Sequence, residues 1–347
     1  MRRNIVALSK LSKGQEMRVS VLQRMAASLT FVAIIASVSV AWSTPDRWRW
    51  EWKQTNFDKH SIDFSEIMSG GPPKDGIPAV DDPTFVSVDA IEDMAETEPV
   101  IGVVINGKAR AYPLSILIWH EIVNDELAGV PITVTFCPLC NAAVVFDRRL
   151  DGQVLDFGTT GKLRNSDLVM YDRQTESWWQ QFLGEAIVGD LLGKRLTMLP
   201  ARLESFAHFK ARAPKGEVLV PNNQNYRRYG ANPYQGYDTS PQPFLYRGSM
   251  PSNIGPLDRV VSLGEKGAWS WTLLRQKGTI ETADGIIMKW EAGQNSALDS
   301  WRIADGRDVG NVTVQRAVEG KMEDVVYGVD FAFAYHAFYP NSPIHVE

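Results

Sequence analysis

Two cysteines in a Cys-x-x-Cys arrangement are the residues of this sequence with the greatest capacity for chemistry. Cys137 and Cys140 are the only cysteines among 347 residues, and they stand in the order Cys-Pro-Leu-Cys. Two thiols at this spacing can bind a thiophilic metal ion, cycle between dithiol and disulfide, or have only a structural part, as a fixed bridge or as ordinary buried thiols. A bridge that closes so small a loop constrains the unfolded chain only weakly, which counts against a purely structural disulfide. The three alternatives stay open.

A redox role requires that one of the cysteines ionises easily. Thioredoxin-like motifs place the first cysteine at a helix N-terminus, which lowers the pKa of that thiol. Here runs rich in β-branched residues, 132–136 and 142–146, stand on either side of the motif and predict two strands. Pro138 favours a tight turn between them, and Asn141 tolerates a left-handed conformation. The sequence therefore predicts a β-hairpin that presents both sulfurs at its tip, without helical activation.

A structural metal site takes four protein ligands, so one Cys-x-x-Cys motif needs partners from elsewhere in the chain. We predict that His120 and Met170 complete the site of Cys137 and Cys140, with Glu121 as a carboxylate alternative. Soft sulfur together with imidazole suits copper(I) or zinc(II). Adjacent side chains on a helix point about 100° apart, so His120 and Glu121 do not easily share one task. The alternative for His120 is a histidine that caps the helix or borders the core.

A second group of polar and aromatic residues is suited to holding a small anionic or sugar-like ligand. The predicted ligand-binding residues are Arg110, Tyr112, Glu121, Asp172, Arg173, Arg227, Tyr229, Tyr234 and Tyr237. For Asp172 and Arg173 the alternative is a structural ion pair. For the tyrosines it is a loop held by its own aromatic packing.

The elements before the cysteine hairpin position the candidate histidine. Residues 100–105 and 108–112 flank Asn106-Gly107, the pattern of a hairpin with a type I′ turn. Pro113 suits the first turn of a helix, and apolar residues then recur at about every 3.6 positions. This helix is predicted to end around position 124, so the histidine lies in its last turns. A further strand over 168–172 and a helix over 206–212 are also predicted.

Charge and the N-terminal segment limit the class of protein. The formal net charge is −5 and the chain has no basic block, so we predict no nucleic-acid partner. Basic residues precede an uncharged, mostly apolar run over 25–43, which is typical of a signal peptide or a membrane anchor over residues 1–43. We therefore predict an extracytoplasmic protein, either periplasmic or attached to the membrane by this segment.

Composition divides the rest of the chain into four parts. They are an extended lead-in over 44–99, a first β-rich domain over 100–221, a Tyr/Pro/Gly-rich connecting loop over 222–256 and a second domain over 257–347. The second domain weakly repeats the first, because residues 136–152 align without gaps with residues 290–306. Glu291 and Gln294 then stand where the first copy has its cysteines. We predict a β-rich α+β fold of two related domains from an internal duplication, in which the second copy keeps the hairpin and lacks the sulfurs.

Six motifs together point to one family. They lie at 71–79, 110–113 (Arg-Ala-Tyr-Pro), 120–125 (His-Glu-Ile-Val-Asn-Asp), 137–140, 165–173 and 229–238. The chain resembles, from about Gly70 to its C-terminus, the bacterial and archaeal family called domain of unknown function 3179. One departure is Asn141, where the family pattern more often has glycine. The resemblance implies kinship and no particular activity.

Two functional hypotheses follow from these residues. The first is an exported protein with a metal-binding site, for copper or zinc, or a thiol-redox site at Cys137 and Cys140. The second is a small-ligand binding module with structural cysteines, in which the loop rich in tyrosine and arginine holds the ligand. Either is compatible with an enzyme of unspecified reaction.

Overall fold

The chain is built almost entirely of short β-strands. The computed structural model describes residues 45–347, so the predicted signal or anchor over 1–43 lies outside the described residues. The first twelve strands are β1 Ile67–Ser69, β2 Thr84–Ser87, β3 Pro99–Ile105, β4 Lys108–Pro113, β5 Ile122–Leu127, β6 Val130–Cys137, β7 Ala142–Asp147, β8 Arg149–Leu150, β9 Gln153–Val154, β10 Phe157–Arg164, β11 Asp167–Asp172 and β12 Trp178–Gln180. The others are β13 Glu185–Val188, β14 Thr197–Leu199, β15 Ala201–Ser205, β16 Glu217–Val220, β17 Arg259–Ser262, β18 Ala268–Ser270, β19 Thr279–Glu281, β20 Ile286–Glu291, β21 Asn311–Val318, β22 Lys321–Asp324, β23 Gly328–Phe331 and β24 Ile344–His345.

Five sheets of four or five strands form the blades of a β-propeller. In the order of hydrogen-bonded neighbours, blade 1 is β15-β3-β4-β16-β2, blade 2 is β14-β7-β6-β5, blade 3 is β1-β10-β11-β12-β13, blade 4 is β23-β17-β18-β24 and blade 5 is β19-β20-β21-β22. Strands β8 and β9 form a separate pair. Neighbours are antiparallel except in the pairs β4–β16 and β18–β24, which are parallel.

The helices are short, and all except the first follow a strand directly. They are α1 Pro45–Trp48, α2 Leu114–His120, α3 Phe206–Arg212, α4 Trp271–Lys277 and α5 Ala332–Phe338. In α3 and α4 the side chains of Ser205 and Ser270 accept hydrogen bonds from backbone N–H groups of the first turn, which stabilises each helix start. Within residues 45–347 no helix has the length and apolar character needed to cross a bilayer.

The predicted α+β fold of two duplicated domains is wrong. The described residues belong to one compact unit whose sheets are propeller blades. In the proposed second copy, β20 ends at Glu291 and the next strand begins at Asn311, so no counterpart of the cysteine hairpin forms there. The physical reason for the error is a recurring local unit, a strand that runs into a seven-residue helix, which occurs four times. Its repetition in the sequence imitates a domain duplication.

The predicted hairpins around the site are confirmed, and one helix is shorter than predicted. Strands β3 and β4 pair around the Asn106-Gly107 turn, and β6 pairs with β7 around the cysteine turn. Helix α2 ends at His120 because Glu121 takes a left-handed conformation with φ of 59°, and its N–H donates to the carbonyl oxygen of Leu117 at 2.7 Å. The chain then enters β5, so the prediction that the helix continues to position 124 is wrong.

Two strands that carry the candidate site are covered on both faces. All six residues of β11 are buried, and in β6 every residue except the first is buried. A strand with one face in solvent would instead alternate between buried and exposed side chains. Polar side chains at the ends of β6 and β11 therefore lie inside the protein, where unpaired polar groups are costly.

Candidate metal centre

The two cysteines lie in the turn between β6 and β7. Cys137 exposes 2% and Cys140 0% of its surface, and both are free thiols. Asn141 has the left-handed φ of 53° that its position was predicted to need, and its Nδ2 donates to the carbonyl oxygen of Val329 at 2.8 Å. The N–H of Phe331 donates to the carbonyl oxygen of Cys140 at 2.9 Å. The turn is therefore held against β23 of blade 4, which fixes the position of both sulfurs.

A carboxylate from blade 3 reaches the same point. Asp167 begins β11 directly after Asn165 and Ser166, whose φ angles of 53° and 65° form the tight turn from β10. One carboxylate oxygen of Asp167 and the two sulfurs all lie within 4.8 Å of one another. In the part of the chain that the structure describes, no other three His, Cys, Asp or Glu side chains are grouped in this way. We call Cys137, Cys140 and Asp167 the cysteine–aspartate group, and it could hold a metal ion.

One oxygen of Asp167 is available to a ligand. Its Oδ2 accepts hydrogen bonds from Gln180 Nε2 at 2.6 Å and from the N–H of Phe182 at 3.0 Å. Its Oδ1 is buried and has no partner at hydrogen-bonding distance among residues 45–347, although the Cys137 thiol and the N–H of Leu168 act on this carboxyl as donors that lower its pKa. A buried polar atom without a partner costs about 1–3 kcal/mol, so such atoms in native proteins need an explanation. Metal ligation by Oδ1 would supply the missing partner.

Burial raises the pKa of every acidic group around the sulfurs. It raises the pKa of Cys137, with further contributions from the charges of Asp167 and Glu121. It also raises the pKa of Cys140 well above its ordinary value, and Cys137 raises it further. Burial raises the pKa of Asp167 to about 7, and burial together with the charge of Asp167 raises that of Glu121 to about 8. The pKa of Asp330 is raised to about 7, mainly by burial.

The thiols and carboxyls around the sulfurs raise one another's pKa, because all of them become negatively charged when they ionise. Protonated thiols and carboxyls tolerate burial, whereas their ionisation would place several negative charges in a medium of low polarity. A divalent cation compensates those charges and displaces the protons. Thioredoxin-type cysteines have lowered pKa values. The raised values found here therefore remove the feature that would make this dithiol a good redox nucleophile.

The segment 222–256 covers the sulfurs. The hydroxyl of Tyr237 donates to the carbonyl oxygen of Leu139, between the two cysteines, at 2.9 Å. Ser166 Oγ donates to the carbonyl oxygen of Phe244 at 2.5 Å, which ties the segment to the turn before Asp167. Burial raises the pKa of Tyr234, and acidic groups around the sulfurs raise it further. Tyr234 and Tyr237, two of the predicted ligand-binding residues, therefore lie beside the cysteine–aspartate group.

The structure does not bring His120 to the sulfurs. Its Nδ1 lies 2.7 Å from the carbonyl oxygen of Pro78 and its Nε2 lies 2.8 Å from the hydroxyl of Tyr229. His120 is the last residue of α2, and the left-handed Glu121 then changes the direction of the chain. The side chains of His120 and Glu121 therefore point to different parts of the molecule. The predicted convergence of an imidazole with both sulfurs is therefore not observed.

Met170, the other predicted ligand, does not lie on the same side of β11 as Asp167. It is fully buried on β11, between Thr159 of β10 and Trp179 of β12. Successive side chains of a strand point to opposite faces, and Met170 lies three residues after Asp167. The two side chains thus belong to opposite faces of blade 3.

Three of the other predicted ligand-binding residues take part in structural hydrogen bonds. Arg110 Nη1 contacts Asp125 Oδ1 at 2.8 Å, and the hydroxyl of Tyr112 donates to Asp125 Oδ2 at 2.6 Å. Asp172 Oδ2 accepts from Trp179 Nε1 at 2.9 Å. The contacts of Arg110 and Tyr112 join β4 of blade 1 to β5 of blade 2, and the contact of Asp172 joins β11 and β12 within blade 3. None of these contacts involves the cysteines.

The remaining three lie near His120. Arg173 does not pair with Asp172 and instead contacts Asp81, with Nη1 2.7 Å from Oδ2. The guanidinium of Arg227 lies 4.5 Å from the ring centroid of Tyr226. Tyr229 is the hydrogen-bond partner of His120. Tyr229, and the residues Asp81 and Tyr226 that the two arginines contact, line a second cavity, which is described below.

Asp167 is a candidate ligand that the sequence did not predict. Its local signal is the polar pair Asn165-Ser166, which indicates a tight turn and hence a hairpin that ends at Asp167. Nothing local to that turn indicates that it meets the cysteines. Their meeting depends on how blades 2 and 3 pack, which is set by contacts between distant parts of the chain.

Comparison with known proteins gives one match. A family model described as "Protein of unknown function (DUF3179)" matches residues 74–342, a range that contains the whole cysteine–aspartate group. No curated protein and no solved structure matches the chain.

Proposed function

The chain belongs to the DUF3179 family of proteins of unknown function, whose family model covers well over half of its residues, and we propose that it binds one zinc ion through Cys137, Cys140 and Asp167. The observation that carries this proposal is the unpartnered Oδ1 of Asp167, which is buried beside two free thiols. A metal ion there would partner the oxygen and neutralise the ionised sulfurs at once.

The donor set supports zinc over copper. Copper(I) prefers soft sulfur and imidazole ligands, whereas zinc(II) accepts thiolate and carboxylate together. Because the third ligand is the carboxylate of Asp167 and not the predicted imidazole, the ligand set favours zinc(II) over copper(I). Three protein ligands also leave one position of a tetrahedron open, which is the arrangement of reactive rather than structural zinc.

A reactive ion needs a group nearby that can hold a proton. Glu121 is a candidate for this role, because its pKa is raised to about 8 and its charge acts on Cys137. A carboxyl with such a pKa exchanges its proton near neutral pH. We therefore propose a zinc ion with an open coordination position beside Glu121, whose carboxyl exchanges its proton near neutral pH.

We further propose that this site works outside the cytoplasm. The support is the sequence alone, in which basic residues precede an apolar run that ends at position 43. In an oxidising compartment two free thiols in a Cys-x-x-Cys motif would be exposed to oxidation. A bound metal ion would protect them, because a coordinated thiolate is not available to form a disulfide.

Metal analysis of the full chain tests the proposal. Protein purified in detergent under reducing conditions and equilibrated with zinc should hold one zinc ion per chain by elemental analysis. Cys137→Ser and Asp167→Asn should each lower this content strongly. Asp330→Asn is the matched control, since Asp330 is a buried carboxyl with a raised pKa that lies outside the three-ligand group, and it should retain the zinc.

Three results would contradict the proposal. The first is the absence of bound metal together with two thiols that titrate freely. The second is a stable disulfide in the protein from its native compartment. The third is copper, bound with equal affinity by wild type and Asp167→Asn, because the aspartate would then have no part in metal binding.

A further inference from the structure

A second cavity opens on the other side of the His120–Glu121 junction. It has a volume of about 310 Å³ and an apolar floor that includes Val80, Ile116 and Leu219. Its position differs from that of the cysteine–aspartate group, none of whose residues lines it. Binding sites for small molecules have volumes of about 300–1,000 Å³. The cavity therefore has room for one ring of ordinary size.

The wall of this cavity is a fixed group of aromatic rings. The Nδ1 of His120 lies 2.7 Å from a carbonyl oxygen, which only accepts, so Nδ1 carries the hydrogen in the neutral ring. Nε2 then accepts the hydrogen bond from the Tyr229 hydroxyl at 2.8 Å. The ring of His120 stacks with Tyr229 at a centroid distance of 5.8 Å and with Tyr226 at 6.1 Å. Burial also lowers the pKa of His120, so the wall stays uncharged at neutral pH.

Tyr226 offers aromatic surface at the mouth of the cavity. Half of its surface, 50%, is exposed, which is unusual for a ring in an ordered stack of aromatic side chains. Exposed aromatic faces beside a cavity are suited to stacking against the C–H face of a ring-shaped ligand. The guanidinium of Arg227 lies 4.5 Å from the centroid of the same ring, so a ligand would contact the part of the ring that His120 and Arg227 leave uncovered.

The rim carries both hydrogen-bond donors and acceptors. The carboxylate of Asp82 has no hydrogen-bond or ion-pair partner among residues 45–347 and is exposed. Asn222 uses its Nδ2 on the carbonyl oxygen of Asp82 at 2.8 Å, which leaves its amide oxygen as an acceptor. Asn223 uses its Oδ1 on the N–H of Asn225 at 3.0 Å, which leaves its amide nitrogen as a donor. Hydroxyl groups, which donate and accept, match such a mixed rim.

The rim carries little unpaired charge. Asp81 is paired with Arg173 at 2.7 Å, so the carboxylate of Asp82 is the one unpaired charge among the residues that line the cavity, and it can accept hydrogen bonds from hydroxyl groups. From the volume, the aromatic face and the mixed rim, we propose that this cavity binds a single sugar ring, in which the apolar face stacks on Tyr226 and the hydroxyls bond to Asp82, Asn222 and Asn223. This site is independent of the proposed zinc site, so either can fail while the other stands.

Ligand-observed NMR on the full chain tests this proposal. Saturation-transfer spectra with a panel of free hexoses and N-acetylhexosamines at millimolar concentration should show signals for at least one sugar. Tyr226→Ala should weaken its binding about tenfold or more, and Asp82→Asn should weaken it as well. Trp301→Ala is the matched control, because Trp301 is 49% exposed and lies outside the cavity. This variant should bind as the wild type does.

Two outcomes would overturn the proposal. One is a panel without any saturation-transfer signal, or a signal that Tyr226→Ala leaves unchanged. The other is tight binding of tetramethylammonium at this site without binding of any sugar. In that case the cavity would select organic cations through Asp82 and the tyrosine face.

Discussion

Asp167 has one oxygen that supports the fold and another that is left for a ligand. Gln180 Nε2 and the N–H of Phe182 both hold Oδ2, at 2.6 and 3.0 Å, so the carboxylate has its orientation before any ion arrives. Partners of this kind around metal ligands fix ligand geometry and typically change metal affinity by about 10–100-fold. In the proposed zinc site the carboxylate would therefore be a preorganised ligand, with Oδ1 directed to the ion.

The raised pKa values of the buried Asp167 and the half-buried Glu121 predict how the metal-free protein responds to pH. The pKa of Asp167 rises from 3.8 to about 7 on folding, and that of Glu121 from 4.5 to about 8. Between these limits the folded state holds protons that the unfolded state has released, so the free energy of unfolding falls as pH rises. Each carboxyl contributes a slope of up to about 1.4 kcal/mol per pH unit. Urea midpoints of the metal-free protein should thus decrease from pH 5 to pH 7.

Two controls separate this effect from other titrations. Asp167→Asn should make the pH slope less steep without abolishing it, because Glu121 and Asp330 still titrate. Saturating zinc should reverse the slope, because metal binding requires the deprotonated groups. The lowered pKa of His120 acts in the opposite direction below its ordinary value of 6.5, so it reduces the slope without reversing it. A midpoint that rises steadily from pH 5 to pH 7 in the metal-free protein would show that these carboxyls ionise freely.

Single residues were predictable where their role is local. The left-handed Asn141 follows from the cysteine turn itself, and the structure confirms it with a φ of 53°. Asp167 was not predictable as a partner of the cysteines, because its contact with them joins two blades. His120 was predicted as a ligand on the strength of residue type, but a left-handed Glu121 directs it elsewhere. A left-handed conformation at a glutamate has no clear signal in sequence.

Among the elements, the β10–β11 hairpin has the most demanding backbone. A register shift interrupts its pairing between Thr159 and Lys162, and Gly161 lies within that irregularity with a φ of 67°. A Cβ at this position would lie 1.9 Å from the carbonyl oxygen of Pro72. The lead-in segment therefore packs directly against the backbone of the hairpin that carries Asp167.

Replacement of this glycine should destabilise the protein strongly. Gly161→Ala adds left-handed strain to a clash with backbone that no side-chain rotation relieves, so we expect a loss of at least about 3 kcal/mol. Gly107→Ala is the matched control, because Gly107 also has a positive φ of 75° but nothing lies within 4 Å of its added Cβ. Strain alone should cost it about 1–2 kcal/mol. Urea unfolding measures both, and equal losses would contradict the close approach to Pro72.

Elements with strong turn chemistry were predictable, and their assembly was not. The Asn106-Gly107 and Cys-Pro-Leu-Cys-Asn sequences each define a hairpin, and both hairpins are observed. The helix over 206–212 was predicted with its observed bounds. The end of α2 was misplaced because apolar periodicity continues into β5, whose buried residues follow the helix after a single residue.

At the scale of the whole molecule, blades are completed by strands that are distant in sequence. Strand β1 of the lead-in pairs with β10, and β2 pairs with β16. The C-terminal β24 pairs with β18 in a parallel arrangement. Such pairings have no local signature, so neither the number of blades nor the membership of each could be derived from turn and strand patterns. The same non-local packing places the cysteine turn of blade 2 against both blade 3 and blade 4.

One further property follows from the cover that segment 222–256 forms over the sulfurs. With Cys137 and Cys140 exposed by only 2% and 0%, an ion in the proposed site would be screened from solvent by this segment, and its open coordination position would be reached only when the segment moves. Its escape then waits for a spontaneous opening of the segment. The rate at which the ion leaves would then depend on the opening of the segment and not only on the affinity of the site. An ion bound with moderate affinity can therefore have a long residence time.

The kinetics of metal removal make this consequence measurable. The rate at which a strong chelator strips zinc should reach a plateau as the chelator concentration increases, because opening limits the reaction. Tyr237→Phe removes the hydroxyl that donates to Leu139 and should raise the plateau. A rate that increases in proportion to chelator concentration would mean that the chelator reaches the ion directly. If the plateau is found, the ion would behave as a long-lived resident of the fold rather than as cargo in rapid exchange with its surroundings.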